Sequence, residues 1–511
     1  MPALLLGKKM DIILSYKKHT NENTYEGAFM KTSVTLKATG HLINTNIYGQ
    51  FIEHALNCIN GGIYDPSSPL SGPDGIRKDV LEKAALLAPP ILRFPGGTIM
   101  CQYHWEDAVG PKEKRIRQKN LIWGDELDPS FGTAEFINFC RKIGAEPMIC
   151  VNMASGTPQE AGNWVEYCNG TGHTYYADLR RSHGYAEPFK VKYWCIGNES
   201  YAQPDIGIHH DVQLYIRDAL EFIKFMKLTD RSIQTVIVGC DQDEWNKPVL
   251  DALHTVTDYF SIHHYSGENQ KGIYGPFEGE KNLKDLITRI EKLLNNYPSQ
   301  VTDFNPWYRF PPRQKKIAIA LDEWNIWNFK DDETYGLLET YCWRDALWTA
   351  SILNLILLTP SIQIANMAQM VNVLAPIISQ KEGSWFQTTA YPLMLYRQNM
   401  QGELVQTAFR SPAIKDTPMG EIDALSISAA IQNGQLNIAA VNRDFDHDHV
   451  ICLKGERLAF RQKGTMICLT SASPTAKCSI NQNCVQEHTF QADADHILLQ
   501  KGSIHLISFP L

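Results

Sequence analysis

Two stretches of sequence decide the fold of this 511-residue chain: residues 192–199 (KYWCIGNE) and residues 316–324 (KIAIALDEW). Each is a short apolar run of the length of a buried β-strand, and each carries a glutamate at or next to its end. Polar residues at the carboxyl ends of buried parallel strands are typical of α/β active sites. The two runs therefore predict a parallel α/β fold with a site where the strands end.

Six further runs of the same kind complete a set of eight strands. They are residues 46–53 (NIYGQFIE), 90–96 (PILRFPG), 147–153 (PMICVNM), 235–240 (TVIVGC), 259–265 (YFSIHHY) and 362–369 (IQIANMAQ). Helical patterns separate the strands, and the clearest cover residues 75–88, 133–143, 210–227, 281–295 and 340–357. Eight strands with intervening helices predict a (β/α)8 TIM barrel, which we place at residues 46–388.

The pattern of apolar and polar residues changes beyond the barrel. Residues 389–511 alternate apolar and polar positions between turn residues and contain no helical pattern, which predicts an antiparallel β-sandwich of the jelly-roll kind. Residues 31–45 include a run with the same alternation (TSVTLKA), and we expect this strand to join the C-terminal sheet. We expect residues 1–30 to be a poorly ordered N-terminal extension.

The composition excludes several classes of partner. With 48 Lys and Arg against 56 Asp and Glu, the net charge is −8, and no basic cluster suited to nucleic acid occurs. No apolar run reaches the roughly 18 residues that a membrane span requires. Lys8, Lys9 and Asp11 follow closely on three leucines, so a secretory leader is not expected and we predict a cytoplasmic protein. The 12 cysteines show no regular pairing, so we expect free thiols.

Two carboxylates stand out as candidate catalytic groups. Glu199 ends the fourth predicted strand and Glu323 the seventh, so both should face one mouth of the barrel. A single glutamate at a strand end could cap a helix or pair with an arginine, but two facing carboxylates are the minimum apparatus for cleaving a glycosidic bond. Because side chains alternate along a strand, we expect Asp322 to point to the opposite side as a packing or salt-bridge residue.

Seven ordered motifs give the chain a family resemblance. They are IYGQFIEH from Ile47, GGIYDP from Gly61, LRFPGG from Leu92, YHWEDAVGP from Tyr103, WCIGNE from Trp194, DEWNIW from Asp322 and AQMVNVLAPI from Ala368. In this set and order, the chain resembles the family 51 glycoside hydrolases, the α-L-arabinofuranosidases. The resemblance extends from about residue 32 to about residue 395 and continues more weakly to the C-terminus.

The resemblance implies a role for each matching residue. It implies that Glu199 is the general acid/base, that Glu323 is the nucleophile, and that Asn198 hydrogen-bonds the sugar 2-hydroxyl. It further implies that Glu53 accepts hydrogen bonds from arabinose hydroxyls and that Tyr265 orients the nucleophile.

Five more positions follow from the same resemblance. Gln369 would hold a sugar hydroxyl, and Trp327 and Trp123 would offer apolar faces to sugar rings, although core packing is the alternative for both tryptophans. Arg93 would lie beneath the nucleophile, with a structural ion pair as an equal alternative. Thr98 stands where the family commonly has an Asn or Cys that touches the sugar.

The mechanism implied is a retaining, exo-acting double displacement on arabinofuranosyl oligosaccharides or polysaccharides, without metal or cofactor. The two carboxyl groups should lie roughly 5 to 5.5 Å apart, and the charge of Glu323 should raise the pKa of Glu199. The resemblance also implies a homo-oligomer, commonly a hexamer. The loop at residues 200–204 (SYAQP) departs from the family pattern, which leaves the preferred linkage open.

Three other functions compete with this reading. A metal-dependent hydrolase would use His263, His264 and Asp322, but adjacent strand residues point to opposite faces, so we expect one histidine to line the site and the other to pack outside it. A barrel that binds carbohydrate without cleaving it is the second. A related retaining glycosidase, either a xylosidase or an endo-β-glucanase, is the third.

Overall fold

The structure is a computed structural model, and it describes residues 31–511 apart from residues 203–205, 207, 208, 210 and 268. The expectation for residues 1–30 lies outside the described residues. The first 13 strands are β1 (Lys31–Leu42), β2 (Gly49–Phe51), β3 (Ile91–Phe94), β4 (Gln118–Lys119), β5 (Glu126–Leu127), β6 (Glu146–Val151), β7 (Tyr193–Ile196), β8 (Gln234–Val238), β9 (Tyr259–Ser266), β10 (Ala318–Ile326), β11 (Ile362–Ala368), β12 (Ile377–Gln380) and β13 (Gly383–Phe386).

Helices alternate with the barrel strands along the chain. They are α1 (Lys78–Leu87), α2 (Thr133–Ile143), α3 (Pro158–Asn169), α4 (Tyr175–Ser182), α5 (Val212–Thr229), α6 (Asp243–Leu253), α7 (Pro276–Leu294), α8 (Trp343–Leu357) and α9 (Ala390–Asn399). No helix among the described residues is both long and apolar enough to cross a membrane.

Eight parallel strands close the predicted barrel in the order β10-β11-β2-β3-β6-β7-β8-β9. Each of the eight predicted runs overlaps one of these strands, so the (β/α)8 prediction is confirmed. Parallel strands surrounded by helices are buried on both faces, which is why they appear in the sequence as continuous apolar runs. The carboxyl ends of all eight strands form one mouth, and this arrangement positions the candidate site.

The remaining strands lie in the C-terminal region: β14 (Glu403–Ala408), β15 (Ala413–Thr417), β16 (Gly420–Asp423), β17 (Leu425–Gln432), β18 (Gln435–Asn442), β19 (His449–Gly455), β20 (Lys463–Ser471), β21 (Val485–Asp493), β22 (Ile497–Leu499) and β23 (Ser503–Pro510). Strands β15 and β16 pair with each other in a separate two-stranded sheet. A mostly antiparallel sheet of nine strands runs in the order β21-β20-β23-β18-β17-β14-β1-β19-β22. Strand β1 pairs antiparallel with β14 and parallel with β19. Alternate apolar residues of these strands, among them Val34, Ile427 and Phe509, form a core of their own.

One element of this region is not in the predicted pattern. Helix α9 begins at Ala390, where we expected strands without helices. The helix packs against α1, α8 and the segment around Tyr48, so apolar residues are needed on several of its faces. A helix that is covered on several sides lacks the single apolar stripe by which a helix is detected in a sequence.

Helix α8 joins the barrel to the C-terminal sheet through buried polar contacts. The Asn354 side chain donates to the Ser426 hydroxyl at 3.1 Å and accepts from the hydroxyls of Tyr396 at 2.9 Å and Ser428 at 2.5 Å. At the first residue of the same helix, the Trp343 indole donates to the Gly502 carbonyl at 2.7 Å. These contacts satisfy polar groups at an interface from which water is excluded.

We expect Asn354→Ala to destabilise the protein by about 2–4 kcal/mol, because it leaves buried hydroxyls without their partner. Denaturant unfolding followed by intrinsic fluorescence measures the change. Asn296→Ala, at an exposed position just after α7, is the matched control and should leave the midpoint in place. Equal midpoints for the two variants would contradict the bridging role of Asn354.

Candidate active site

The chain turns sharply where strand β7 ends. Gly197 has a φ of 84°, and Glu199 has a φ of 41°, which is uncommon for a residue with a side chain. A non-glycine residue in this region costs on the order of 1–3 kcal/mol and is found mainly where function requires it. The turn places the Glu199 carboxylate at the barrel mouth with its side chain 25% exposed.

Glu323 lies on strand β10 and has a donor on each carboxylate oxygen. Arg93 donates through Nη1 to Oε1 at 2.7 Å, and the Tyr265 hydroxyl donates to Oε2 at 2.7 Å. The Glu323 side chain is only 7% exposed. Two hydrogen bonds, one of them from a guanidinium, therefore fix the orientation of this carboxylate.

Arg93 is the most connected charge in the site. Besides Glu323, its guanidinium donates through Nη2 to the Asn198 side-chain oxygen at 2.7 Å and lies 3.3 Å from Asp322. Burial alone would lower the pKa of Arg93, but the charges of Asp322 and Glu323 raise it well above its usual value. Arg93 thus forms an ion pair and also lies directly against Glu323. The two alternatives predicted for Arg93, a structural ion pair and a position beneath the candidate nucleophile, are therefore both correct.

The orientation predicted for Asp322 is wrong. Asp322 forms the expected ion pair with Arg93, but its side chain lies inside the barrel, where it also accepts a 2.5 Å hydrogen bond from Ser261. The pairing of β10 shifts register between Ala320 and Glu323 against β9, and again at this point against β11. Such an irregularity breaks the strict alternation of a strand, so the side chains of Asp322 and Glu323 both reach the interior.

His263, on strand β9, connects the carboxylates. Its Nδ1 lies 2.9 Å from Glu199 and 3.6 Å from Glu323, and its Nε2 lies 3.5 Å from Asp322. The neighbouring His264 contacts the Ser266 hydroxyl at 3.1 Å instead, and burial lowers its pKa to about 4. His263 is therefore the histidine that belongs to the site.

The charges differ from the expectation for Glu199. Burial raises the pKa of Glu199, but the hydrogen bond and charge of His263, together with Arg93, outweigh burial and leave that pKa below its usual value. Burial would lower the pKa of His263, yet the charges and hydrogen bonds of Glu323, Asp322 and Glu199 raise it well above the usual value. In the free site, the proton between His263 and Glu199 therefore lies on His263. The prediction for Glu199 considered only the charge of Glu323 and left out this histidine.

A second group of polar residues lies across the mouth. Glu53 accepts hydrogen bonds from the Ile99 backbone at 3.0 Å and from the Gln369 side chain at 3.0 Å. A side chain at Gly97 would approach Glu53 to 2.7 Å, so glycine is required there. Burial raises the pKa of Glu53 to about 8, with a smaller contribution in the same direction from Glu323. Glu53 is therefore largely protonated at neutral pH. Thr98, another of the predicted site residues, directly follows Gly97 in the chain.

Aromatic rings border the mouth. The ring of Trp327 meets Tyr265 edge-on at 5.5 Å between centroids, and its indole donates to the Tyr335 carbonyl at 2.8 Å. Trp123 lies on the other side of Tyr335, with 6.4 Å between the ring centroids. Both tryptophans are partly exposed and pack against the barrel core, so they also contribute to its packing.

The spacing of the carboxylates limits the chemistry. One oxygen of Glu199 and one of Glu323 lie within 4.8 Å of each other, and a nitrogen of His263 lies within the same distance of both. This separation matches a retaining pair rather than an inverting pair, whose carboxyl groups lie roughly 6.5 to 9.5 Å apart. The three ligand atoms could also hold a metal ion, but the Arg93 guanidinium 2.7 Å from Glu323 opposes a second cation there.

The ten residues predicted from the sequence thus fall into one region of the described structure. Seven of them form two groups, and Thr98, Trp123 and Trp327 border the mouth. The first group is Arg93, Asn198, Glu199, Tyr265 and Glu323, and the second is Glu53 and Gln369. The sequence predicted that one of His263 and His264 lines the site, but it did not decide which one. The signal that could have placed His263 in the site is its position two residues before Tyr265, because residues i and i+2 share one face of a strand.

A (β/α)8 barrel with paired carboxylates on its fourth and seventh strands defines a glycoside hydrolase. Two family models match the chain: the alpha-L-arabinofuranosidase 1 domain over residues 83–282 and the alpha-L-arabinofuranosidase C-terminal domain over residues 322–500. The chain belongs to the family 51 α-L-arabinofuranosidases, and it is an enzyme of that class.

Individual relatives resemble most of the chain. A probable α-L-arabinofuranosidase C of Aspergillus niger is 35% identical and covers 92% of this chain and 95% of its own length. An intracellular exo-α-(1→5)-L-arabinofuranosidase of Acetivibrio thermocellus is 34% identical and covers 80% of this chain and 84% of its own. The crystal structure of the Thermotoga maritima α-L-arabinofuranosidase in complex with arabinose has a TM-score of 0.85 at 33% identity, covering 94% of this chain and all of that one.

The protonation of Glu53 predicts a pH dependence of stability. The folded protein keeps a proton on Glu53 up to about pH 8, whereas the unfolded chain releases it near the ordinary value of 4.5. The unfolding free energy of the natural protein should therefore fall by a few kcal/mol between about pH 5 and about pH 8 relative to Glu53→Gln, which cannot ionise. Urea unfolding of both proteins across this range measures the difference, and a difference that does not change with pH would refute it.

Proposed function

We propose that the site releases terminal non-reducing α-L-arabinofuranosyl residues by double displacement, with Glu323 as nucleophile and Glu199 as general acid/base. The observation that carries this assignment is the convergence of Arg93, Tyr265 and His263 on two carboxylates whose nearest oxygens lie within 4.8 Å. Glu323 is oriented by its ion pair with Arg93, whereas Glu199 is partly exposed and linked to a proton donor.

In the first step the ionised Glu323 attacks the anomeric carbon while the glycosidic bond breaks. The leaving oxygen takes a proton from Glu199, and that proton is available one hydrogen bond away on His263 Nδ1. A substrate that excludes water from the pair favours its neutral form, because separated charges lose more from desolvation than a neutral imidazole and carboxylic acid do. The proton therefore moves to Glu199 as the substrate binds.

In the second step water releases the sugar. Once Glu323 is bonded to the anomeric carbon it carries no charge, and the network of Arg93 and His263 then favours ionised Glu199. Glu199 takes a proton from water, the oxygen of that water attacks the anomeric carbon, and the bond to Glu323 breaks. Two inversions retain the configuration of the sugar.

The sugar itself is held on the far side of the mouth. Glu53 and Gln369 are both buried and hydrogen-bonded to each other at 3.0 Å, which suits them to hold the hydroxyls of one sugar, and the exo-acting relative supports assigning that sugar to a chain terminus. We assign Asn198, whose side-chain oxygen accepts a hydrogen bond from Arg93, to the sugar 2-hydroxyl. Because Glu53 is largely protonated in the free site, it supplies a donor as well as an acceptor to a sugar hydroxyl.

The choice of linkage depends on residues beyond this pocket. One relative carries α-(1→5) specificity in its name, and this linkage is our first candidate for the natural bond. Thr98 lies between Gly97 and Ile99, which contact Glu53, and Tyr201 lies at the mouth beside Glu199, so both are candidates for contacts with the substrate. Residues 203 and 204 lie outside the described part of the chain. Rates on arabino-oligosaccharides of defined linkage, compared with rates on xylosides and cellulose, test the choice.

We also propose that the enzyme is a cytoplasmic homo-oligomer, with a hexamer as the expected state. The intracellular location of one bacterial relative supports the first part, and the family resemblance supports the second. Fractionation of the native cells and analytical ultracentrifugation of the full chain test the two parts separately.

Replacing the nucleophile gives the sharpest test of the mechanism. Glu323→Ala should lower turnover by roughly 10⁴-fold or more. Azide should restore activity and yield an arabinosyl azide of inverted anomeric configuration, because azide then displaces the leaving group in one step. Glu487→Ala, at an exposed position of β21, is the control and should behave as the natural enzyme. An azide product of retained configuration would overturn the assignment of Glu323.

Replacing the acid/base should separate substrates by their leaving groups. Glu199→Ala should lower the rate on oligosaccharides by roughly 10²–10⁴-fold, because their poor leaving group requires a proton. On dinitrophenyl arabinofuranosides, whose dinitrophenolate departs without needing a proton, the rate of the first step should fall far less. Steady-state and burst kinetics on both substrates measure the contrast, and equal losses on the two would count against Glu199 as the acid.

A further inference from the structure

A cleft of about 690 Å³ opens at the barrel mouth beside Glu199. Its inner end is formed by Glu199, His263 and Tyr265. Its outer wall is formed by residues that play no part in the proposed double displacement, and these are Tyr201, Asp241, His264, Asn282, Asp285, Leu286 and Arg289. Four of the seven lie on helix α7, which packs against strand β9.

The cleft lies on one side of the mouth and the sugar-holding residues on the other. In the closed order of strands, β8 and β9 lie opposite β2 and β3, and β7 lies opposite β11. Glu53 follows β2 and Gln369 follows β11, so both face the cleft across the mouth. A sugar held by these two residues presents its leaving oxygen toward Glu199 and hence toward the cleft.

The lining of the cleft suits a neutral molecule with many hydroxyl groups. Arg289 is held in place because it donates to the Asp241 carbonyl and lies 3.7 Å from Asp243. Asn282 and Asp285 are exposed on α7, and their side chains are not hydrogen-bonded to any other described residue. These two side chains are therefore able to bind hydroxyls of a ligand, while Leu286 adds an apolar contact at the same wall.

We propose that this cleft binds the first sugar of the leaving group, a neutral pyranose or furanose, and that Asn282 and Asp285 hydrogen-bond its hydroxyls. The proposal rests on the assignment of Glu199 as general acid. It makes helix α7 a determinant of which arabinose-bearing oligosaccharides are cleaved. The carboxylates of Asp241 and Asp285 outnumber the one guanidinium of Arg289, so the cleft disfavours a leaving group that carries a uronate.

The test compares two substrates in one variant. Asn282→Ala/Asp285→Ala should lower kcat/KM on α-linked arabino-oligosaccharides by roughly tenfold, because two hydrogen bonds to the leaving sugar are lost. The loss on 4-nitrophenyl α-L-arabinofuranoside, which has no leaving sugar, should be less than about twofold. Both positions are exposed on a helix, where alanine is well tolerated, so the variant is expected to fold.

A matched control exists on the same helix. Lys281→Ala/Lys284→Ala removes two exposed side chains at the same spacing, and neither of them lines the cleft. Its ratio of oligosaccharide rate to aryl rate should equal that of the natural enzyme. An unchanged ratio in Asn282→Ala/Asp285→Ala, or an equal fall on both substrates, would overturn the cleft assignment. Failure of the natural enzyme to cleave the aryl furanoside would instead count against the proposed function.

Discussion

The buried guanidinium of Arg93 is the constraint on which the site depends. Its side chain is 1% exposed, and a charge so deeply buried is tolerated only when it is fully compensated. Compensation comes from Asp322 and Glu323 on β10 and from the Asn198 side chain after β7, while Arg93 itself lies on β3. One cation thereby ties three strands across the barrel. The geometry of the site and the closure of the barrel cannot be changed independently.

The same cation determines where protons lie. Three carboxylates, Glu199, Asp322 and Glu323, lie within reach of Arg93 and His263, so the cluster holds nearly balanced charge when His263 is protonated. Glu53 stays out of this balance because burial keeps it largely neutral. A site with little net charge suits a neutral sugar, and a proton that can pass between His263 and Glu199 supplies what the acid step needs.

The two sides of the mouth have different chemistry. On the side of β2, β3 and β11, buried and well-connected groups such as Glu53 and Gln369 are held in one geometry. On the side of β8 and β9, exposed side chains of α7 border an open cleft. A fixed pocket suits a reaction that always acts on the same sugar, whereas exposed helix positions can vary without disturbing the barrel. Specificity for the leaving group can therefore change while the reaction is kept.

The sequence by itself determined the barrel, because eight buried strands leave eight apolar runs. It singled out Glu199 and Glu323 because both stand at or next to the end of such a run. It also identified ten candidate site residues through motifs that lie far apart in the chain. Only the tertiary structure decided the orientation of Asp322, since the register shift in β10 depends on its neighbours β9 and β11. It likewise decided the charge of Glu199 and the place of helix α9. Residues distant in sequence determine burial, hydrogen-bond partners and packing on several faces. Local sequence patterns therefore cannot predict these properties.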